Sequence, residues 1–173
     1  MNLINTLRKV WEDIPMWRRS FLVSFAADLG DLDAIGQRLY YAPTEIGNIL
    51  SIFFGETIAR RIEGMMREQL LLWIQILFAE KAGDTELIDK NTQQLYENVD
   101  RLAAYMAEIN PYWDEQIWKK ILHDYYSTGL LESVAYLAGR YEDEITLYES
   151  MESQALNIAD YMAYGINRYF TGQ

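Results

Sequence analysis

The sequence predicts an all-α protein, an antiparallel bundle of four long helices with additional helical segments at the N-terminus. Apolar residues recur at steps of three and four through four long stretches, the spacing of one face of a helix. No alternating pattern and no Asn-Gly or Asp-Gly hairpin turn indicates a strand. Only 3 prolines and 10 glycines interrupt the 173 residues. We therefore expect one helical domain, in which residues 1–54 pack on a bundle formed by residues 55–170.

Two prolines divide the N-terminal region of the predicted fold. Proline lacks an N–H donor and clashes with the preceding turn, so Pro15 is expected to break or kink the first helix. Pro43, between Ala42 and Thr44, is expected to end a short helix for the same reason. The predicted segments therefore cover residues 3–12, 17–30, 31–39 and 45–54.

The four long helices are separated by recognisable helix ends. Gly83 suits the left-handed conformation at a helix C-terminus, and Asp84 is a plausible N-cap for the next helix. Asn110-Pro111 stops the following one, and a kink is expected near Ser127-Thr128-Gly129. The long helices are predicted over residues 55–82, 85–109, 113–138 and 142–169. Such helices joined by short connections pack as antiparallel neighbours.

The charge and composition exclude several classes of partner and site. A formal net charge of −11 repels phosphate backbones and anionic lipid, so nucleic acid and membranes are not expected partners. The apolar run over residues 70–79 is too short to span a bilayer. With no cysteine, the chain has neither disulfides nor thiolate metal sites and suits a reducing cytoplasm.

Sequence motifs of catalysis are also missing. The chain contains no glycine-rich phosphate loop and no G-x-S-x-G nucleophile elbow. Its one histidine, His123, excludes the pair of Glu-x-x-His motifs that di-iron bundles use. We therefore predict no catalytic residue, no cofactor and no metal ligand, and a non-catalytic function.

Polar side chains near the middle of the long helices form the candidate site. Gln69, Asn98 and Tyr125 lie near helix midpoints on apolar faces, and Glu152 lies on the apolar face of the last helix. In an antiparallel bundle these side chains could meet in one layer. One interpretation is a buried polar layer that fixes helix register. The other is a small-ligand pocket, walled by Trp73, Tyr105, Tyr125 and Met162.

Short segments along most of the chain resemble a family of small, functionally uncharacterised helical proteins of spore-forming bacteria with a ferritin-like bundle. The matching segments are Trp17-Arg18-Arg19, Leu29-Gly30-Asp31, Arg38-Leu39, Pro43-Thr44-Glu45-Ile46, Phe54-Gly55, Ala79 to Asp84, Ile109-Asn110-Pro111-Tyr112-Trp113, Ala159-Asp160 and Gly165-Ile166. The resemblance implies a ferritin-like fold. It also implies histidines at the positions of Ile14, Gln69 and Tyr125, all absent here, so a metal function of the family does not transfer directly.

Three classes of function stay open on the sequence. The first is a non-catalytic bundle that binds a small molecule or a protein partner. The second is a metal-binding or redox ferritin-like protein that relies on carboxylates such as Glu68, Glu152 and Asp160. The third is a homo-oligomeric structural protein. Because aromatic residues make up 14% of the chain and interfaces favour them, we predict a homodimer.

Overall fold

Six long helices account for nearly all of residues 2–172, the part of the chain that the computed structural model describes. Their bounds are α1 Leu3–Ala26, α2 Leu32–Phe54, α3 Glu56–Ala82, α4 Thr85–Ile109, α5 Glu115–Leu137 and α6 Tyr141–Thr171. Helix covers more than two-thirds of the chain, and no strand occurs in the described range. The prediction of an all-α protein with helices near 55–82, 85–109, 113–138 and 142–169 is confirmed within a few residues.

The helices form a closed ring in which each packs against its neighbours in the chain. Sequential antiparallel packing runs from α1 to α6, and α1 also packs on α6 to close the ring. Helix α5 makes further contacts with both α1 and α3, so it lies toward the inside of the ring. The architecture is thus six antiparallel helices, with α1 and α2 as full members of the ring.

The predicted interruptions at the two N-terminal prolines are wrong. Pro15 lies inside the continuous helix α1, and Pro43 lies inside the continuous helix α2. Each proline removes one hydrogen bond, to the carbonyl of Trp11 or Leu39 respectively. The helices persist because their apolar faces continue past the proline into the core: Ile14 and Phe21 flank one site, and the buried face of α2 includes Leu39 and Ile46. Tertiary packing outweighs the local penalty.

The predicted helix ends are confirmed by their geometry. Gly83 takes the left-handed conformation with φ of 70°, and the Asp84 side chain accepts a hydrogen bond from the Leu87 N–H at 3.0 Å. Helix α5 continues without a break through Ser127 and Gly129, where a kink was expected. There a side chain on residue 129 would collide with the Arg18 guanidinium, because a Cβ would lie 2.8 Å from the Arg18 Nη2. Glycine at this position leaves room for that guanidinium against α5.

Within residues 2–172, no helix combines the length and apolar character that crossing a bilayer requires. This agrees with the expectation from the apolar run over residues 70–79.

Candidate functional site

A chain of hydrogen bonds joins the midpoints of α3, α4 and α5. The Gln69 side-chain amide donates to the Asn98 Oδ1 at 2.8 Å, and the Tyr126 hydroxyl donates to the Gln69 Oε1. The Asn98 amide in turn donates to Glu68, which reaches the surface beside Arg101. Gln69 and Asn98 are at most 1% exposed, so this polar layer is buried and largely satisfied by its own members.

Beside this layer lies a small cavity lined by residues of α1, α2, α3 and α5. Its volume is about 30 Å³, and every residue that lines it is buried. One water molecule needs roughly 10–15 Å³ on this measure, so the cavity holds two or three heavy atoms. Gln69 and Tyr126 line one side of it, and Leu39, Ala42 and Pro43 of α2 line another.

Arg18 of α1 is the charged residue of the cavity wall. It is 3% exposed, and its guanidinium carbon lies 4.4 Å from the centre of the Trp73 ring and 5.6 Å from that of Tyr125. These aromatic faces stabilise a cation through their quadrupoles. Yet the Arg18 Nε and Nη2 have no hydrogen-bond partner among the described residues. Two nitrogens of this buried guanidinium thus lack a hydrogen-bond acceptor, which is energetically unfavourable.

Two more polar atoms of the cavity wall also lack a hydrogen-bond partner. The indole Nε1 of Trp11 and the hydroxyl of Tyr125 are buried without a hydrogen-bond partner in residues 2–172. Burial raises the pKa of the Tyr125 hydroxyl, while the positive charge of Arg18 and its approach to the hydroxyl as a donor oppose that rise. The unpartnered groups of Trp11 and Arg18 can only donate, whereas the Tyr125 hydroxyl can donate or accept. The set as a whole favours an acceptor between these groups.

The other arginines of α1 show how the same guanidinium edge is normally used. Arg8 binds Asp160 through Nε at 2.6 Å and Nη2 at 2.7 Å. Arg19 binds Glu144 through Nε at 2.6 Å and Nη2 at 3.0 Å. Both pairs have the bidentate geometry that arginine makes with carboxylates. On Arg18 this edge lines a cavity instead.

A buried carboxyl group lies beyond Arg18, on α5. Glu132 is 1% exposed, and its Oε1 has no hydrogen-bond partner in the described part of the chain. Burial raises the pKa of Glu132 to about 7; the charges of Arg18 and Arg19 lower it, and Glu144 raises it. Glu132 is thus partly protonated near neutral pH and only partly neutralises the charge of Arg18.

The structure brings some of the predicted site residues together and separates others. Gln69, Trp73 and Tyr125 line the cavity, and Asn98 contacts it through Gln69. Tyr105 does not line the cavity: its ring packs under the guanidinium of Arg61, 4.1 Å away. Two further predicted residues, Glu152 and Met162, also lie outside the cavity wall.

The sequence interpretation missed Arg18, Trp11 and Tyr126. A signal for Arg18 exists, because Trp11, Ile14 and Arg18 fall at helical spacing on one apolar face. A single charged residue on such a face is a candidate for a buried functional group. The assumption that α1 breaks at Pro15 hid this spacing.

The carboxylates of the metal hypothesis are used elsewhere. Glu68 accepts from Asn98, Asp160 is held by Arg8, and Glu152 is half-buried on α6. Across residues 2–172, no three histidine, aspartate or glutamate side chains are grouped so that they could hold a metal ion. His123 instead pairs with Asp100 at 2.7 Å near the surface.

Comparison of the chain with protein-family profiles, with curated protein sequences and with solved structures found no match in any of the three. What the structure itself supports is an all-helical protein of six antiparallel helices.

Proposed function

We propose that this protein is a non-catalytic helical bundle that binds a small molecule in the cavity between α1, α2, α3 and α5. The observation that carries the proposal is the set of buried, unpartnered polar atoms of Trp11, Arg18 and Tyr125 around one enclosed space. An unpaired buried polar group costs about 1–3 kcal/mol, and a charged one more. A ligand that satisfies these groups recovers much of that cost, which makes the cavity a binding site.

The alternative interpretation, a polar layer that only fixes helix register, describes a neighbouring part of the molecule. Gln69 donates to Asn98 and accepts from Tyr126, so the three side chains form a hydrogen-bonded layer. Such a layer can specify register without a ligand. Arg18 does not belong to it, because it makes no hydrogen bond to any of these side chains. Register therefore accounts for the layer, and ligand binding accounts for the cavity.

The family resemblance supports the same place in the fold. The positions at which that family carries histidine, here Ile14, Gln69 and Tyr125, all line the cavity. We propose that the cavity corresponds to the site of those relatives and that α3 to α6 correspond to their ferritin-like bundle. In this chain, an arginine and aromatic side chains form the wall in place of the histidines.

A variant that fills the cavity tests the proposal. Ala42 is 2% exposed and lines the cavity, so Ala42→Val adds two methyl groups where a ligand would lie. Thermal unfolding is measured with and without formate and formamide, two planar probes of three heavy atoms. We expect at least one probe to stabilise the natural protein and to have no effect on Ala42→Val. The exposed Ala34 of the same helix provides the control, since Ala34→Val leaves the cavity unchanged.

If neither probe raises the unfolding temperature of the natural protein, or if each raises that of Ala42→Val by the same amount, the cavity is not a small-molecule site. A gain of stability in Ala42→Val without any probe would show only that the cavity was filled.

The homodimer also stays a proposal. Aromatic and aliphatic side chains are exposed on the outer faces of the ring, among them Phe78 at 56% and Leu131 at 58%. Sedimentation at micromolar concentration measures the mass that decides it.

A further inference from the structure

The cavity presents a permanent positive charge to whatever enters it. The charge belongs to the guanidinium of Arg18, which lines the cavity. A charge at 3% exposure needs an opposite charge and hydrogen-bond acceptors. The aromatic faces of Trp73 and Tyr125 offer a partial substitute, yet they accept no hydrogen bond from the Nε–Nη2 edge.

Among residues 2–172, the acceptors near Arg18 are bound elsewhere or do not complete its Nε–Nη2 edge. The Gln69 Oε1 accepts from Tyr126, and both carboxylate oxygens of Glu144 accept from Arg19. The Glu132 Oε1 has no hydrogen-bond partner. Arg18 approaches the hydroxyl of Tyr125 as a donor, but a single oxygen does not supply the two acceptors that this edge matches. The edge is therefore available to an acceptor that enters the cavity.

The shape of the wall restricts that acceptor further. An Nε–Nη2 edge offers two parallel N–H donors, which match the two oxygens of a carboxylate. In this protein, the same edge of Arg8 and of Arg19 each binds one carboxylate in that way. A volume of about 30 Å³ accommodates two or three heavy atoms, and the lining beyond Arg18 includes the apolar side chains of Met66 and Leu70.

We propose that the cavity binds a small monocarboxylate, with its two oxygens on the Nε–Nη2 edge of Arg18. This inference rests on the proposed function and names the class of its ligand. The hydroxyl of Tyr125 and the indole N–H of Trp11 are the further donors available to the same carboxylate. Its carbon end faces the aromatic and aliphatic wall.

Glu132 makes the binding dependent on pH. When Glu132 is ionised, its negative charge competes with the ligand for the field of Arg18; when it is protonated, it does not. Since the pKa of Glu132 is about 7, the bound carboxylate raises it further and binding takes up a proton. Affinity is therefore highest below pH 7 and falls as the pH rises above it. The charged and titratable groups that face Glu132 are Arg18 and Arg19 of α1, Tyr125 of α5, and Glu144 and Tyr148 of α6.

Formate and formamide separate charge from shape, because both are planar and have three heavy atoms. Their dissociation constants are measured by titration of thermal stability at pH 6, at constant ionic strength set with sodium sulfate. We expect formate to bind at least tenfold more tightly than formamide. Arg18→Met removes this preference, whereas Arg8→Met, on the same helix with 48% side-chain exposure, keeps it. Equal binding of formate and formamide, or formate binding that survives Arg18→Met, would overturn the assignment.

A second variant keeps the test decisive if Arg18→Met does not fold. In the natural protein, formate affinity falls by roughly tenfold between pH 7 and pH 8.5, the limit set by one proton. Glu132→Gln cannot ionise, so its formate affinity stays constant over that range. A pH dependence that persists in Glu132→Gln contradicts the competition between Glu132 and the ligand.

Nitrate and chloride provide the remaining arm of the experiment. Binding of either ion as tightly as formate, with the same dependence on Arg18, would replace the carboxylate assignment with a general site for small anions. Formamide binding that Ala42→Val abolishes, without any formate preference, would overturn this inference and leave the proposed function intact. If neither probe binds, both fail.

Discussion

Glu63 and Glu132 are both buried glutamates, and the two parts of the molecule around them have opposite electrostatics. Glu63, 6% exposed between α2 and α3, accepts hydrogen bonds from Thr44 at 2.7 Å and from Arg60 and Arg67. Burial raises its pKa, but these donors outweigh burial and leave the pKa below its ordinary value. Glu132 is 1% exposed, lacks such donors, and has a pKa raised to about 7.

The difference shows that burial by itself does not determine the state of a carboxyl group. Around Glu63 the backbone makes room for partners: a Cβ at Gly47 would lie 2.8 Å from the Glu63 Oε2. Near Glu132, Arg18 lines the cavity, and neither the Glu132 Oε1 nor the Arg18 Nε and Nη2 has a hydrogen-bond partner among the described residues. A cluster whose charges are all hydrogen-bonded, as around Glu63, stabilises the fold. A cluster whose charges lack hydrogen bonds, as around Glu132, leaves charge available to a ligand or a proton.

The largest expected effect is the loss of the hydrogen-bonded cluster around Glu63. Glu63→Gln leaves Arg67 without a carboxylate partner and Arg60 with only the exposed Glu56, so we expect the free energy of unfolding at pH 7 to fall by about 3 kcal/mol. Urea denaturation measures the change. Glu56→Gln is the matched control, because Glu56 binds the same Arg60 but its side chain is 72% exposed. That control is expected to cost less than about 1 kcal/mol. Equal losses in the two variants would show that burial of Glu63 adds nothing.

The second-largest expected effect is the loss of hydrogen bonds in the polar layer next to the cavity. Gln69→Leu removes the acceptor of the buried Tyr126 hydroxyl and the donor to Asn98. We expect a loss of about 2–3 kcal/mol, since two buried groups lose their partners and the added apolar contact offsets only part. Thermal and urea unfolding both measure it. A neutral or stabilising result would mean that the layer relaxes and that its members find other partners or water.

The smallest expected effect is the pH dependence of the unfolding free energy that Glu132 causes. The pKa of Glu132 is raised in the folded protein, so its contribution to stability is fully present below pH 4.5 and is lost as the pH rises through 7. We expect the unfolding free energy to fall by about 2 kcal/mol between pH 5.5 and pH 8.5 on account of Glu132. Glu132→Gln removes this part of the slope.

Glu80, whose pKa burial also raises to about 7, adds a slope of the same sign and remains in that variant. Glu149→Gln, at an exposed position on α6, serves as the control and should follow the natural curve. A Glu132→Gln curve as steep as the natural one would show that Glu132 is ionised in the folded protein throughout.

The sequence predicted the hydrogen-bonded layer of Gln69 and Asn98 more accurately than the cavity beside it. Gln69, Asn98 and Tyr125 were predicted to meet because helix midpoints of antiparallel neighbours lie at similar heights, and Gln69 and Asn98 do hydrogen-bond. The phase of a helix is not predictable to one residue across neighbours, so Tyr126 takes the bond expected of Tyr125. Tyr125 faces Trp11, with ring centres 6.2 Å apart. A step of one residue turns a side chain by about 100° on a helix.

Sequence by itself determined the helices of this protein, because their apolar periodicity and their end signals at Gly83, Asp84 and Asn110 are local. Only the tertiary structure decided that α1 and α2 run through Pro15 and Pro43, since the energy that holds them comes from faces of other helices. The tertiary structure also decided which buried charges have partners. Arg19 binds Glu144 across 125 residues of sequence, whereas the Nε and Nη2 of its neighbour Arg18, which lines the cavity, have no partner in residues 2–172.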